Sequence, residues 1–483
     1  MSLPSPSPHP TIVILGAGFG GLHTARRLDA LLKRRRSPEA NVVLIDRRNY
    51  FLMTPLLFEA GSGVLEPRHT VSPIRRILRR VRFVQANIGG VDLDRRTVSA
   101  APVGGGPEYE IPYDQLVLAL GGTSDTAALP GADRVLTFKS LSDAIRLRNH
   151  TINLFERADA EPDPERKRRM LTFVVIGGGL VGTELAGEMA DFQESIARSY
   201  PRIDRRQLRL ELVQGGERLM PEMDASLATY ATRVLEGRGV RVRVETRVTR
   251  IDFGERERTF AVDLSRGEGP IEACTVVAAN GVRVNPVLDP LRLDKDRKGR
   301  VLTDATMRST SRPEVWALGD CAHVPAADGR PYPQLAQHAM REAKALSRNL
   351  VAALRGQPAT PFVYRTKGTL ASLGHRKGVG RIGRFHVRGF IAWWIWRTFY
   401  LLQMPRWNRR VRIAFDWTIS LLFKNDIVEL DVQTEPRPPA QVGAAGVQER
   451  PARLSPVQRS VLAARETHGN HEPNGTVGSR DAE

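Results

Sequence analysis

Gly16-Ala17-Gly18-Phe19-Gly20-Gly21 stands directly after the apolar run Thr11-Ile12-Val13-Ile14-Leu15, and Gly177-Gly178-Gly179-Leu180-Val181-Gly182 directly after Leu171-Thr172-Phe173-Val174-Val175-Ile176. Each reads as a strand, a GxGxxG turn and a helix, with helices expected over 22–32 and 183–199. In such a unit the first glycine makes the tight turn and the second lets the backbone approach a pyrophosphate. The third lets helix pack on strand, while the helix N-terminus adds free N–H groups and the positive end of a dipole. The two fingerprints begin 161 residues apart, which suggests two dinucleotide sites on one chain.

The residue closing the next strand separates the two sites. Asn41-Val42-Val43-Leu44-Ile45 ends in Asp46, whose carboxylate can accept both hydroxyls of an adenosine ribose, so the first site prefers an unphosphorylated ribose. Arg209-Leu210-Glu211-Leu212-Val213 ends instead in Gln214, an amide that binds a hydroxyl without repelling a 2′-phosphate. Preference for NADH over NADPH is thereby softened. Arg218 offers a phosphate a cation, and Glu217 beside it opposes one.

A chain of 483 residues with 41% apolar content and 42 glycines has room for two or three domains and fits an α/β enzyme. Its two cysteines, Cys274 and Cys321, are too far apart for a redox pair or a zinc knuckle. That spacing argues for a reducing compartment and against a disulfide reductase. Residues 1–10 lack a basic start and read as a short disordered lead rather than a secretory signal. The net charge of +19 is concentrated locally: from Ala343 through Phe415 there are fifteen Lys and Arg and no acid. An anionic membrane or a nucleic acid could meet such a surface, and the companion sequence favours the membrane.

The fold class expected is α/β: two Rossmann-like dinucleotide-binding domains, the second inserted in the first, plus C-terminal amphipathic membrane-associating helices. The first domain spans 11–135 and 300–377, the second 136–299, the membrane-associating region 378–430, and 431–483 is a disordered tail. Phe390-Ile391-Ala392-Trp393-Trp394-Ile395-Trp396 through Met404 is apolar nearly all round, but short for a span and interrupted by Arg397, which costs about 2.5–3.5 kcal/mol at a bilayer centre. The following helix sets Val411, Phe415, Ile419 and Leu422 on one face and Arg410, Arg412, Asp416 and Lys424 around the others. Five of the six tryptophans fall between Trp393 and Trp417, as suits helices lying in the headgroup region. A buried or dimeric helix pair and a transmembrane hairpin are the alternatives to this monotopic anchor.

Several polar residues qualify for chemistry. Glu184 lies on the first turn of the second nucleotide helix, where it could position a nicotinamide, relay a proton or merely complement the helix dipole. Asp320 follows the strand Val315-Trp316-Ala317-Leu318 and Gly319, and can be held toward a bound hydroxyl or sugar. Gln337 and Arg341 share a face of the helix after Pro333. His323, His338 and His375 lack metal-ligand spacing, and no metal is expected.

Together these segments resemble the type II NADH dehydrogenases, single-subunit NADH:quinone oxidoreductases of the two-dinucleotide-binding flavoproteins. The resemblance runs from about Thr11 to Leu430. It is carried by the first fingerprint, Asn49-Tyr50-Phe51 with Pro55-Leu56-Leu57, Gly177 through Glu188, Ala317-Leu318-Gly319-Asp320-Cys321-Ala322, Ala336-Gln337-His338-Ala339, and the ending from Phe390 to Val428. It implies noncovalent FAD in the first site, bound by Gly16, Gly18, Gly21, Asp46, Ile88, Ala119, Gly121, Asp320 and Ala336. It implies NADH in the second, bound by Gly177, Gly179, Gly182, Gln214 and Gly281, with NADPH admitted by Gln214. Glu184 and Gln337 would be catalytic, and Pro55, Gln337 and Arg341 would line the side from which a membrane quinone enters.

Three departures stand out: Gln214 replaces an acid, Arg341 a second glutamine, and Ala279-Asn280-Gly281 the more usual Thr-Ala-Gly. The implied place is the cytoplasmic face of the cell membrane, on an anionic surface, with a homodimer through the C-terminal region open and no nucleic acid expected. Two other readings are carried: a soluble NADH reductase for a protein electron carrier, and a flavoprotein resembling apoptosis-inducing factor.

Overall fold

The two apolar runs that precede the glycine turns are central strands of two parallel sheets in the computed structural model, which describes residues 8–33, 38–267, 269–423 and 426–430. The first seven residues, the arginines of 34–36, Lys424 and the tail from 431 lie outside the described residues. In the first sheet the strands run Val315–Ala317, Gln115–Leu118, Thr11–Leu15, Asn41–Asp46, Arg82–Asp92, Thr97–Pro102, Tyr109–Pro112. The first five are parallel and the last two turn back antiparallel. The second sheet, Leu136–Thr137, Thr275–Ala278, Thr172–Ile176, Arg209–Val213, Val240–Arg243, is parallel throughout. Continuous β-branched runs suit such strands because helices bury both faces.

Helix α1 (Phe19–Leu31) follows the first turn, and the short α2 (Leu57–Gly61) follows Asn49-Tyr50-Phe51. Helix α3 (Leu141–Ala160) starts at a capping box in which Ser140 and Asp143 each accept the other's backbone N–H. Helix α4 (Leu180–Ala197) follows the second turn, and α5 (Ala336–Leu354) packs along α1. Both nucleotide helices start three residues before the sequence expectation, because the middle glycine of each fingerprint is itself the N-cap.

Between the sheets, Gly122–Ser124 pairs antiparallel with Val282–Val284. A three-stranded antiparallel sheet (Gly368–Ser372, Gly378–Ile382, Phe385–Arg388) then leads into α6 (Gly389–Gln403) and α7 (Trp407–Leu422). A Cβ on Gly378 would lie 2.6 Å from the Trp393 nitrogen, so the backbone of α6 rests directly on this sheet.

The C-terminal helices differ from the expectation in one respect. Ala392, Trp393 and Trp396 of α6 and Ile413 and Trp417 of α7 are buried within the chain, leaving Trp394 and Trp407 as its exposed tryptophans. The cluster of tryptophans is therefore half core, because α6 is pinned against protein along one side. Its other side exposes Phe390, Ile391, Trp394 and Leu402. On α7 the stripe Val411, Phe415, Ile419, Leu422 is 42, 64, 53 and 76% exposed, an apolar face that the described residues leave largely open. Among the described residues no helix is long and apolar enough to cross a membrane.

Candidate active site

The two glycine turns repeat each other closely. Gly16 has φ +94° and Gly177 φ +106°, and a Cβ at either would collide with a backbone carbonyl, Ala119 O at 2.5 Å or Ala279 O at 2.6 Å. Left-handed backbone and this close approach both require glycine. Gly21 and Gly182 sit with their Cβ positions 1.8 and 1.7 Å from the carbonyl oxygens of Gly16 and Gly177, so here helix and turn touch. The middle glycines behave oppositely: a Cβ on Gly18 meets nothing within 4 Å, and one on Gly179 only Glu222 Oε1 at 3.9 Å. Each opens onto free space at a helix N-terminus without a side-chain cap, as a pyrophosphate bound through backbone N–H groups requires.

The strand-end residues extend the correspondence. Ala17 donates its N–H to Asp46 Oδ2 at 2.6 Å, and Gly178 donates its own to Gln214 Oε1 at 2.9 Å. Asp46 Oδ1 also accepts from Arg48 N at 2.8 Å, and Gln214 Nε2 donates to Arg218 O at 3.3 Å. Asp46 and Gln214 thus brace their turns in the same way, while differing in charge. Asn280, in the departing loop, donates to Asp125 O at 3.1 Å, and Gly281 O accepts from Asp125 N at 3.2 Å. That latch ties the second site to the strand leaving the first.

Asp320 is brought to the first cradle. Leu318 N donates to Leu118 O at 3.1 Å, one residue before Ala119, and Gly319 turns with φ +71°. The buried Glu342 of α5 accepts from Gly319 N at 2.7 Å, and Gln334 donates to Asp320 O at 2.7 Å. Burial pushes the Glu342 carboxyl up to about 7. Lys139 Nζ lies 3.9 Å from the Asp320 carboxylate, with burial lowering its pKa. Gly121, at φ +63°, has open space at its Cβ position. Ile88 lies at a bulge in Arg82–Asp92 and packs on the first core. Pro55 lies in a one-turn 3₁₀ helix ahead of α2. Gln337 donates to Gly368 O at 3.1 Å, Tyr364 OH donates to Gln337 Oε1 at 3.5 Å, and the Arg341 guanidinium stands 5.6 Å from the Tyr364 ring. Gln337 and Arg341 therefore meet at one aromatic side chain. Ala336, at the α5 N-terminus, starts that helix without a side-chain cap.

Glu184 is buried. Its Oε1 accepts from Ser372 N at 2.9 Å and from Trp396 Nε1 at 3.1 Å, and Tyr400 lies beside it, stacked edge-on against Trp396. Desolvation raises its pKa to about 8, against the two hydrogen bonds that lower it. Both donors reach Oε1, leaving Oε2 to carry a proton. The C-terminal helix α6 thus lies over the start of the second nucleotide helix.

Sequence reasoning passed over a cluster next to this. Glu59 of α2, 1% exposed, accepts from Arg397 (Nε 2.8 Å, Nη2 2.7 Å) and from Trp417 Nε1 at 2.6 Å. The guanidinium lies 4.2 Å from the Trp393 ring centre and 4.7 Å from that of Trp417. Arg397 is thus a buried ion pair held between aromatic faces, which explains a charge in the middle of an apolar helix. Its misfit was visible in the sequence; its partner 338 residues away was not. Both thiols are buried, with Cys321 pushed up to about 12 and Cys274 raised, which suits packing rather than redox chemistry.

The family model for pyridine nucleotide-disulphide oxidoreductases matches residues 10–343, and that for the NDH2 C-terminal domain matches 366–426. The type II NADH:quinone oxidoreductase Ndh of Mycobacterium tuberculosis (strain ATCC 25618 / H37Rv) is 31% identical over 423 residues, covering 85% of this chain and 88% of that protein. A probable NADH dehydrogenase of Dictyostelium discoideum is 29% identical, covering 86% and 90%. The fold matches the structure of NDH2 from Plasmodium falciparum in complex with NADH, with TM-score 0.77, 19% identity and coverage of 87% of this chain and 99% of that one. Two glycine cradles, the C-terminal helix α6 packed over the start of the second nucleotide helix, and similarity along most of both chains lead to one conclusion: this chain belongs to the type II NADH:quinone oxidoreductases, within the pyridine nucleotide-disulphide oxidoreductase family.

Proposed function

We propose that the protein is a peripheral membrane flavoenzyme that binds FAD at the first cradle and NADH at the second and reduces a membrane quinone at the end of α5. The observation that carries this reading is the contact of Trp396 and Ser372 with Glu184, which joins the C-terminal region to the nicotinamide side of the second cradle. Residues 11–135 with 300–377 form the flavin half and 136–299 the nicotinamide half.

A bound flavin supplies hydride acceptance and electron delivery. The protein supplies placement. Gly16, Gly18 and Gly21 hold a pyrophosphate at the α1 N-terminus, Asp46 faces the adenosine ribose, and Asp320, braced by Glu342 and Gln334, faces the flavin end of the nucleotide. Gly177, Gly179 and Gly182 do the same for the nicotinamide nucleotide. Gln337 and Arg341, sharing Tyr364, present an amide and a cation to a quinone carbonyl, with Pro55 on the same side. Glu184 is protonated near neutral pH and offers that proton at Oε2.

The decisive experiment is steady-state NADH oxidation by the purified yellow protein with ubiquinone and menaquinone analogues. Lack of flavin absorbance, or no acceptor dependence, overturns the reading. In the same assay Gln214→Glu should shift the NADPH-to-NADH ratio of kcat/KM downward about 5- to 10-fold, since a carboxylate near a 2′-phosphate costs on the order of 1 kcal/mol. Equal changes with both nucleotides would show that this position does not discriminate.

The uncovered stripe on α7, with the basic residues around it, fits an anionic membrane surface at the cytoplasmic face. Phe415→Glu combined with Leu422→Glu should weaken binding to anionic vesicles at least about tenfold, since each apolar side chain contributes about 1.5–3 kcal/mol on burial. Turnover with a water-soluble quinone should persist. Unchanged sedimentation with vesicles would place the membrane contact elsewhere.

A further inference from the structure

Behind Glu184, one turn further along α4, lies a second buried carboxylate that the reading above does not use. Glu188 is 6% exposed. Its Oε1 accepts from Ser372 Oγ at 3.3 Å and its Oε2 from Ser62 Oγ at 3.3 Å. Ser372 therefore serves both carboxylates, its amide donating to Glu184 and its hydroxyl to Glu188. The Ser62 hydroxyl has a second acceptor, Glu59 O at 3.3 Å, and can donate to one oxygen at a time.

The charges around this pair are unbalanced. Facing Glu188 are Glu59 from α2, Asp191 and Glu184 from its own helix, and Arg397 from α6. Arg397 is committed to Glu59 at 2.7 Å, and Arg238 to Asp191 at 3.2 Å. Two cations thus pair directly with two of the four carboxylates, and among the described residues no ion pair reaches Glu184 or Glu188. Burial and the neighbouring acids push Glu188, like Glu184, up to about 8, while Arg397 and Ser372 pull it down. An anion on either makes the other bind its proton more tightly.

A cleft lies one residue away: Gly63, next to the buried Ser62, lines a space of about 190 Å³ together with Glu66, Arg148, Asp416 and Asp426, room for several waters. The reaction read above needs one proton from solution per turnover: NADH + H⁺ + quinone gives NAD⁺ + quinol, the hydride carrying both electrons and the other proton. We propose that Glu188 is the proton reservoir of the quinone half-reaction, filled from this cleft by way of Ser62 and replenishing Glu184 each time Glu184 gives up its proton. The proposal rests on the quinone reading, and Glu188 acts through Glu184 rather than on substrate.

The test uses the flavin-loaded enzyme. Infrared spectra of the resting holoenzyme should show carboxylic acid C=O bands that disappear as pH rises through about 8, with Glu188→Gln removing one of them. In single-turnover mixing, cofactor bleaching by NADH should keep its rate in Glu188→Gln. Quinol formation with a soluble ubiquinone analogue should slow about 10- to 100-fold, the range of lost acid–base assistance. The fall of the quinone step with rising pH should move to lower pH in Glu188→Gln, where Glu184 titrates without the neighbouring acid, and return toward the wild-type position in Glu188→Asp. Ser62→Ala should delay proton uptake, read with a pH dye, while leaving the infrared bands in place.

The proposal is overturned if wild type shows no acid band titrating in that window. It is equally overturned if Glu188→Gln leaves the pH dependence of the quinone step where wild type has it, or slows both half-reactions alike. A wild type that bleaches with NADH but reduces no quinone would instead overturn the reading of function.

Discussion

Gly21→Ala will give a chain that does not fold to a flavin-binding state, whereas Gly18→Ala, three residues earlier, will give a folded chain that has lost most of its flavin. Inside a helix such as α1, alanine normally gains about 1 kcal/mol over glycine. At Gly21 the added carbon lies 1.8 Å from the carbonyl oxygen of Gly16, backbone against backbone, and neither can yield without opening the turn. At Gly18 the backbone is extended, with φ −72° and ψ −162°, and the Cβ finds nothing within 4 Å. Alanine fits the protein there and occupies only the space a pyrophosphate would take. A charge-assisted hydrogen bond from a backbone N–H to a phosphate oxygen contributes about 1.5–3 kcal/mol, so displacing the pyrophosphate from even one of them should lower flavin affinity about 10- to 100-fold or more. Circular dichroism melts together with the ratio of flavin to protein absorbance separate the two outcomes. A Gly18→Ala enzyme purified fully yellow would show that the first cradle does not hold the cofactor. The same contrast is expected between Gly182→Ala, with its Cβ 1.7 Å from Gly177 O, and Gly179→Ala, read this time in KM for NADH.

Arg397→Met should destabilise the protein by about 3–5 kcal/mol, the penalty for leaving a buried ion-pair partner uncompensated. Glu59, at 1% exposure, would keep, among the described residues, only Trp417 Nε1 as a hydrogen-bond donor and would add its charge to that of the nearby acids. The guanidinium also fills the space between Trp393 and Trp417, so its loss loosens α6 against α7. The decisive comparison is a cycle with Glu59→Gln. If the ion pair is the cause, Glu59→Gln with Arg397→Met should be more stable than Arg397→Met alone, with urea midpoints as the measure. A single variant costing under about 1 kcal/mol, or strictly additive effects, would show that the aromatic faces and not the charge hold these helices together.

Much of the framework was legible because its constraints are short in sequence. A run of β-branched residues, a glycine every second or third position and a following helix are local demands, and the chain meets them twice with the same geometry. The strand-end position was equally readable, and the structure adds that Asp46 and Gln214 both accept the turn's N–H, so the difference between the sites is charge rather than architecture. The face of α7 carrying Val411, Phe415, Ile419 and Leu422 followed from helical period alone. The tryptophans did not: composition marks them as interfacial, and only packing decides that Trp393, Trp396 and Trp417 turn inward.

What the sequence by itself determined is a pair of dinucleotide cradles, their order, and an apolar, basic C-terminal region. Only the tertiary structure decided which buried charges answer one another. Glu59 meets Arg397 across 338 residues, Trp396 reaches Glu184 across 212, and Ser372 bridges Glu184 and Glu188 from a strand far downstream. A turn is fixed by the sterics of a few neighbouring residues and can be read from them. A proton affinity is fixed by desolvation and by charges within a few ångströms, and those neighbours come together only when the chain has folded.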